Sequence, residues 1–306
     1  MDFKQLQSFL CLAREGNVTR AARQLNIVQP ALSMQIAKLE KSTGQRLFYR
    51  SAHGVSLTLA GEKLANLAAS IMQNVDHARE EMARLNGKIS GRVSIGMITS
   101  AAQSTLAASS AKIAARYPDI QLLVCEGYTE ILSEWVATGQ IDIAVVNAPP
   151  AKSPLTAHHI LDEEMMLAHG PGNGVSLPNV IPFRRLKELN IVIPSRRHGL
   201  RRILDATAAE VDISLNPRLE IDTLSAICEI VATTDLITVL PGIALYPHLS
   251  AGRIEAHRLR KPAITRTVAW MTHPRRIVSS AMSAVMDIVA EDLSMAAESA
   301  SRLVNR

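Results

Sequence analysis

The sequence predicts a small helical domain at the N terminus followed by a larger α/β region. Three observations support this: apolar residues recur at helical spacing in residues 1–60, a long apolar repeat fills residues 62–86, and strand-like and helix-like runs alternate from Arg92 onward. With 306 residues, the chain is long enough for two or three domains. Its 47% hydrophobic and 20% charged residues are typical of a folded globular protein and exclude disordered and collagen-like classes.

The positive charge of the chain is concentrated at its N terminus. Residues 1–60 hold eight Lys or Arg and three Asp or Glu, whereas the remaining residues hold 25 of each kind. Clusters of Lys and Arg replace the counterions condensed on nucleic acid, so this excess predicts contact with a polyanion. A membrane surface would attract the same charge.

The first segment predicts three short helices. Gly16 ends the first, the second covers roughly residues 19–25, and the third begins with Pro30 in its first turn and runs to about Ser42. The last two helices, joined by a tight turn, form a helix-turn-helix, whose second helix enters a DNA major groove. Its apolar stripe faces the core, which leaves these residues for DNA: Gln29, Pro30, Ala31, Ser33, Met34, Gln35 and Lys38.

The third helix is followed by two short β-prone runs that meet at a turn. The turn lies at His53-Gly54, so the segment predicts a hairpin wing whose Arg50 and His53 reach phosphates or a minor groove. The alternative is a generic three-helix bundle with a solvated basic face. The charge excess, the turn and the wing together favour DNA binding.

Residues 62–86 show the clearest periodicity in the chain. Apolar positions alternate at spacings of four and three residues, which is the 3.5-residue repeat of helices that pair along a seam. A helix packed on the C-terminal domain is the alternative, disfavoured because Gly87 and Gly91 separate the segment from that domain. The sequence therefore predicts a dimerising helix with this seam: Leu64, Ala68, Ile71, Val75, Ala78, Met82 and Leu85.

From Arg92 onward the pattern predicts two α/β lobes with a cleft between them. The first predicted helix of this region begins at Gln103, after the strand RVSIGM. The predicted domains are 1–61, 62–91 and 92–306, the last divided into lobe I (about 92–164 plus 266–306) and lobe II (about 165–265).

Small hydroxyl residues stand where predicted strands give way to helices, at the ends that would line the cleft. Helix N termini expose N–H groups and favour negative charge, so we expect a small anion or carboxylate there. Arg196 or His198 would add a charged hydrogen bond. Each hydroxyl residue has an alternative role as a simple helix cap. The candidate effector contacts are Thr99, Ser100, Thr129, Ser195, His198 and Thr223.

Signatures of cofactor binding and catalysis are missing from the sequence. It has no dinucleotide, phosphate-loop, nucleophile-elbow or zinc-protease motif, so we expect no enzyme activity and no cofactor. The acidic and histidine residues of 158–164 alternate as in a strand, and we predict no metal site. Three scattered cysteines fit buried, inert thiols in a reducing compartment. With neither a secretory signal nor an apolar span, the expected location is the cytoplasm, away from membranes.

The sequence resembles the LysR-type transcriptional regulators over its whole length. The resemblance rests on these residues: Ala21-Ala22, Leu25, the run from Gln29 to Ser33, Gln35-Ile36, Leu39-Glu40, Leu47-Phe48, Arg50, Leu57-Thr58 and Ala60-Gly61. Val28 departs from the family, which often has Ser there. The resemblance implies a winged helix-turn-helix, a linker helix and a two-lobed effector domain like periplasmic binding proteins.

The resemblance also implies site residues and partners. It places Pro30, Ala31, Ser33, Gln35 and Arg50 at DNA contacts, and the hydroxyl residues named above, His198 apart, near the effector cleft. It implies double-stranded promoter DNA, a small effector, RNA polymerase and a second copy of the chain as partners, in dimers or tetramers.

The function predicted from the sequence is a ligand-responsive DNA-binding regulator. Two alternatives stand beside it: a solute receptor made of the two lobes, and an α/β enzyme acting on an acidic substrate. The basic first segment disfavours the receptor, and the missing catalytic motifs disfavour the enzyme.

Overall fold

The computed structural model describes residues 1–51, 54–84, 88–148, 153–172 and 177–304. The chain forms two compact units. The first unit contains Met1–Lys88, Ala137–Gln140 and Arg275–Ser279, and the second contains Ile89–Val136, Ile141–Pro274 and Ser280–Arg306.

The first unit is a helical domain with a two-stranded wing. Its elements are α1 (Phe3–Glu15), α2 (Val18–Gln24), α3 (Gln29–Thr43), β1 (Phe48–Ser51), β2 (Gly54–Leu57) and α4 (Leu59–Arg84). The Asp2 side chain caps the start of α1 by accepting from the Gln5 amide, and Gly16 ends that helix in the left-handed conformation. The predicted helix-turn-helix and hairpin are thus confirmed.

The hairpin is fixed to the helices by backbone and side-chain contacts. The amide of Val55 donates to the Gly16 carbonyl over 2.8 Å, and the rings of Phe9 and Phe48 pack with their centroids 5.2 Å apart. The Thr58 hydroxyl accepts from the Gly61 amide over 3.0 Å, which caps the start of α4. His53 lies outside the described residues.

Helix α4 begins at Leu59 and continues without interruption across the predicted boundary between residues 61 and 62. Its first turns belong to the first unit's core, because Ala68 is fully buried in the same apolar cluster as Phe9 and Leu64 packs against that cluster. The domain limits at 61/62 and 91/92 stay predictions.

The second unit is the α/β region. Its strands are β3 (Gly91–Met97), β4 (Ile120–Glu126), β5 (Ile143–Asn147), β6 (Thr156–His169), β7 (Val180–Pro182), β8 (Val192–Ile193), β9 (Leu219–Glu220), β10 (Thr238–Pro241), β11 (Glu255–Arg260) and β12 (Thr265–Thr272). Its helices are α5 (Thr99–Arg116), α6 (Thr129–Ala137), α7 (Gly199–Glu210), α8 (Leu224–Thr233), α9 (Gly242–Ser250) and α10 (Ser280–Val304), with a 3₁₀ helix at Phe183–Glu188.

Two separate apolar clusters give this unit two lobes. One cluster is centred on β3, β5 and α10, and the other on the second half of β6 with α7 and α8. Strand β6 belongs to both lobes: Thr156–Glu164 pairs with β12, whereas Met165–His169 pairs with β10 and β11. The two-lobed α/β architecture predicted from the sequence is therefore confirmed.

Some elements differ from the sequence predictions. Helix α5 begins at Thr99 instead of Gln103, because Ile98 adopts the extended cap conformation and the small residues after it continue directly into the helix. Helix α9 is absent from the sequence prediction, since it starts at Gly242 and contains Pro247, two residues that usually interrupt helices. Strand β11 is absent from that prediction as well.

None of the helices formed by the described residues is long and apolar enough to cross a membrane.

Candidate functional site

Helix α3 presents a buried face and a solvent face. Leu32, Ile36 and Leu39 are at most 1% exposed, so they anchor the helix in the core. The predicted DNA contacts lie on the other side: Gln29, Pro30, Met34 and Lys38 are exposed, and Ala31, Ser33 and Gln35 are half-buried.

Two side-chain hydrogen bonds hold α3 against its neighbours. The Gln29 amide donates to the Thr19 hydroxyl over 2.7 Å, and the Ser8 hydroxyl donates to Gln35 Oε1 over 2.7 Å. Both bonds link α3 to the helices before it and leave the amide NH₂ of Gln35 for an outside acceptor. Val28 occupies the N-cap position of α3 without a side-chain bond, as expected for an apolar residue.

The wing carries an exposed cation. Arg50 lies in β1 opposite Val55 of β2 and is exposed. The first unit therefore combines an exposed polar helix face with a hairpin, which is the set of elements that a winged helix-turn-helix uses on DNA.

The predicted dimer seam on α4 is divided. Leu64 and Ala68 face the core of their own unit, because the first turns of α4 pack against α1. Farther along, Ile71 is 37% and Met82 61% exposed. These two residues line an apolar groove together with Phe3, Asn74, Val75 and Ala78. Leu85 lies outside the described residues.

A small cleft, partly open to solvent, lies between the two lobes of the second unit. Helices α5, α6 and α7 all begin at it, so three helix N termini converge on one space. Such ends leave backbone N–H groups unpaired and carry partial positive charge. The lining residues are Ile98, Thr99, Ser100, Gly127, Tyr128, Thr129, Asn147, His198, Gly199 and Arg266.

His198 brings a hydrogen-bond donor to this cleft. Its Nδ1 accepts from the Leu200 amide over 3.2 Å, which caps α7 and requires the neutral ring to carry its proton on Nε2. Nε2 is buried and has no hydrogen-bond partner among the described residues. Burial, followed by the nearby Arg266 charge, lowers the pKa of His198, although Asp222 opposes the shift. The imidazole is therefore neutral at pH 7 and presents an unused N–H to the cleft.

Arg266 enters the cleft from β12 as half of a buried ion pair. Its Nε donates to Glu163 Oε1 over 2.7 Å, and both side chains are at most 4% exposed. Its Nη1 donates to Asn147 Oδ1 over 3.1 Å, and the Asn147 amide donates to the Thr129 hydroxyl over 3.3 Å. This network fixes the polar side chains that line the cleft at the end of β5 and the start of α6.

The structure brings together four of the six predicted effector contacts. Thr99, Ser100, Thr129 and His198 line the cleft, whereas Ser195 and Thr223 are not among its lining residues. The Ser195 amide donates to Asp222 over 2.9 Å.

The arginines that follow Ser195 in the sequence do not supply the charged hydrogen bond expected in the cleft. Arg196 is exposed and absent from the lining, so the cleft's arginine is Arg266 instead. Arg201 points inward, where it contacts Asp205 and Glu220 over 2.8 Å each. Sequence reasoning misses the pair because the two residues are 103 positions apart. Arg266 is the one charge in the otherwise uncharged strand β12, which is the available signal, whereas Glu163 is flanked by Asp162 and Glu164 and does not stand out.

The cysteines fit the predicted inert thiols. Cys11 and Cys228 are buried and Cys125 is half-buried. Burial raises the pKa of all three thiols, that of Cys228 to about 12. A thiol with a raised pKa is a poor nucleophile at neutral pH.

Comparison with known families gives two adjoining matches. Residues 3–62 match the profile of the bacterial regulatory helix-turn-helix protein, lysR family, and residues 86–294 match the LysR substrate binding domain. Together these matches take in both units of the chain.

Whole-length relatives agree with these matches. The chain is 26% identical to the uncharacterized HTH-type transcriptional regulator YfeR of Shigella flexneri, covering 94% of this chain and 92% of that protein. It is 28% identical to the HTH-type transcriptional regulator BbuR of Bordetella bronchiseptica, covering 96% and 90%. These relatives are transcriptional regulators and not enzymes.

Solved structures share the fold. A variant of full-length OxyR from Pseudomonas aeruginosa superposes with a TM-score of 0.77 at 22% identity, with 97% of each chain covered. Full-length CbnR in complex with its target DNA superposes with a TM-score of 0.64 at 16% identity, covering 95% of this chain and 100% of that one.

The lowered pKa of His198 predicts a pH dependence of stability. The folded state takes up a proton at His198 less readily than the unfolded state, whose pKa is near 6.5. Stability from this group is therefore present above that value and is lost as pH falls below it. We expect the His198→Asn variant, which keeps the helix cap without a titrating ring, to lose less stability between about pH 7.5 and pH 5.5.

The measurement is thermal unfolding followed by tryptophan fluorescence. Both tryptophans of the chain, Trp135 and Trp270, lie in the second unit, so the signal reports on the unit that holds His198. Equal losses of Tm in the wild type and the variant would contradict the prediction.

Proposed function

We propose that this chain, which belongs to the LysR family of bacterial regulatory helix-turn-helix proteins, responds to a small anion held between its lobes by changing the geometry of its oligomer on promoter DNA. The family makes the chain a ligand-responsive transcriptional regulator. Beyond this role, we assign the DNA-binding face, the pairing surface, the chemical class of the effector and the way in which effector binding changes DNA binding.

The DNA face consists of α3 and the wing. The polar side of α3 supplies groups that read base edges: the half-buried Ser33 hydroxyl and Gln35 amide. Arg50 and the remaining charge excess of residues 1–60 supply phosphate contacts, which fix position without reading sequence. CbnR, a protein of the same fold, binds its target DNA, which supports a DNA-binding role for a chain of this fold. RNA polymerase is the expected partner at the promoter, and the cytoplasm the expected location.

The proposed DNA face predicts that substitutions at Arg50 and Ser33 change DNA affinity in different ways. Arg50→Ala removes a phosphate contact, so it lowers affinity for all sequences and reduces the slope of log K against log salt by about 1. Ser33→Ala weakens binding to the operator more than to unrelated DNA. Anisotropy titrations over a salt series check both, with an operator found by mapping the purified protein on genomic DNA.

Arg302→Ala is the matched control, because it removes an exposed arginine from the second unit. Unchanged binding by Arg50→Ala, or an equal loss in Arg302→Ala, would count against the assigned face.

The apolar groove on α4 is the proposed pairing surface. Ile71, Val75, Ala78 and Met82 continue the 3.5-residue repeat beyond the part that packs on α1, and they form a face with Phe3. An exposed apolar face of this length is unfavourable in water. A second copy of the chain would cover it.

The groove predicts the effect of a charge at Ile71. Ile71→Glu buries a carboxylate in the paired state at a cost of several kcal/mol, on the order of the penalty for an unpaired buried charge. We expect a dimer in the wild type and a monomer in the variant by analytical ultracentrifugation.

Leu67→Glu is the matched control, since Leu67 is 55% exposed on the same helix but lies outside the groove. If neither variant dissociates, α4 is not the main pairing surface; if both dissociate, pairing is not confined to the groove.

The single observation that carries the effector proposal is the unpartnered His198 Nε2–H in the cleft. A buried donor without an acceptor costs free energy until a ligand supplies one. The N termini of α5, α6 and α7 add partial positive charge around the same space. Carboxylate oxygens accept such hydrogen bonds strongly, which favours a small carboxylate over a neutral ligand.

The effector proposal predicts which variant loses affinity. A hydrogen bond to a charged group contributes about 1.5–3 kcal/mol, so His198→Asn should weaken the best carboxylate about tenfold to hundredfold. Arg196→Ala should leave the affinity unchanged, because Arg196 is exposed outside the lining.

A thermal-shift screen of small acids, amides and sugars finds the ligand, and calorimetry measures both variants. A screen in which only neutral compounds stabilise the protein would contradict the charge preference. Equal affinity of the wild type and His198→Asn would contradict the assignment of the effector to the cleft.

Ligand binding would act on DNA through the relative position of the lobes. The cleft's polar groups come from both lobes, with Ser100 and Thr129 on one and His198 on the other. A ligand that contacts both stabilises one arrangement, and it shifts the equilibrium only by its difference in affinity for the two. Footprinting of the operator with and without the ligand is the test: a changed footprint supports the proposal, and an identical one contradicts it.

A further inference from the structure

Two buried histidines and a glutamate meet at the end of β6, away from the cleft. Glu255 of β11 pairs directly with His169 of β6, and His257 follows two residues along the same strand. All three side chains therefore lie on one face of the sheet. One ligand atom from each lies within 4.8 Å of the others, and none of the three lines the cleft.

The backbone fixes the proton positions in both rings. His169 Nδ1 lies 2.8 Å from the Gly170 carbonyl oxygen, and His257 Nδ1 lies 2.9 Å from that of Pro178. A carbonyl oxygen only accepts, so each Nδ1 carries the proton and donates it. In a neutral imidazole the other nitrogen, Nε2, is then a bare lone pair.

These two lone pairs point at each other. The Nε2 atoms are 2.8 Å apart, and the ring planes are nearly parallel, with 13° between them. Neither nitrogen can donate to the other while both rings are neutral, so the contact is unfavourable unless a proton or a metal ion is bound between them. The Glu255 carboxylate, 3.7 Å from His169 Nε2, adds negative charge on the same side.

We propose that His169, His257 and Glu255 bind one divalent transition-metal ion, with zinc as the representative case. Imidazole ligands select Zn²⁺, Co²⁺, Ni²⁺ or Cu²⁺ over Mg²⁺ and Ca²⁺, which prefer oxygen. Metal-binding histidines usually donate their second N–H to a carbonyl or carboxylate. Both rings here already do so.

The spacing suits a tetrahedral ion. With Zn–N distances of about 2.0–2.1 Å, two nitrogens of a tetrahedral site lie about 3.3 Å apart, so the rings need to separate by about half an ångström and to rotate until both lone pairs point at one position beside the line that joins the nitrogens. His169 and His257 are buried, whereas the Glu255 side chain is 59% exposed and leaves an approach from solvent. Three protein ligands leave a fourth position for water.

The ion would join the neighbouring strands β6 and β11 at the end of their pairing. The sequence predicts no metal site because 88 residues separate the two histidines, so no ligand motif appears along the chain. Among the candidates weighed from sequence in residues 158–164, His158 and His159 are exposed on the other half of β6.

The test uses the full chain without a histidine tag, stripped with a chelator and then titrated. Calorimetry with ZnCl₂ should give one ion per chain, and CoCl₂ should give the visible absorption of a four-coordinate site. Thermal unfolding of the second unit should shift to higher temperature with Zn²⁺.

Three variants assign the ion to the site. His257→Gln should abolish binding, and Glu255→Gln should weaken it at least about tenfold. Because Glu255 is exposed, we expect its variant to keep the fold. If His257→Gln fails to fold, Glu255→Gln alone shows whether the ion binds at this site. The control His159→Gln changes an exposed histidine that contacts Asp162, and it should bind as the wild type does.

The proposal is overturned if the wild type binds no stoichiometric ion. It is also overturned if Glu255→Gln and a folded His257→Gln bind as tightly as the wild type, or if His159→Gln loses binding equally.

Discussion

The buried pair of Arg266 and Glu163 is the interaction on which the second unit's architecture depends. The two residues face each other across β12 and β6, near the point where β6 passes from one lobe to the other. Glu163 also accepts from the Ile243 amide over 3.0 Å at the start of α9, and Arg266 donates to Asn147. Removing one partner of such a pair leaves a buried charge uncompensated and costs about 3–5 kcal/mol. The pair thereby fixes β5, β6, β12 and α9 around one point.

The polar lining of the cleft results from that arrangement. The Asn147 side chain accepts from Arg266, and the Asn147 backbone amide donates to the Thr129 hydroxyl at the start of α6. A Cβ on Gly199 would lie 3.1 Å from the Asn147 side chain, so glycine allows α7 to begin close against β5. His198 precedes that glycine and, with its ring tipped against Tyr128 at 5.3 Å, directs its free N–H to the ligand space. Because Glu163 neutralises Arg266, the preference for an anion depends on N–H donors and helix ends more than on net charge.

Local sequence patterns are enough to predict the architecture, but they do not predict contacts between residues that are far apart in the chain. The periodicity of α3 and α4 and the strand-helix alternation each depend on neighbouring residues, which is why they appear in the sequence. Four of the predicted effector contacts line the cleft because strand-to-helix junctions gather at one edge. Arg266, Glu163 and the His169–His257 contact join residues about 90 to 100 positions apart. No spacing along the chain indicates such pairs, and the division of the α4 seam likewise depends on how α1 crosses it.

A crystal structure of the protein with its best-stabilising carboxylate would show whether His198 Nε2 binds the effector. We expect a carboxylate oxygen within about 2.7–3.2 Å of His198 Nε2, additional contacts from the first amides of α5 or α6, and Arg266 still paired with Glu163. A ligand bound elsewhere, or bound in the cleft with His198 Nε2 still lacking an acceptor, would contradict this expectation.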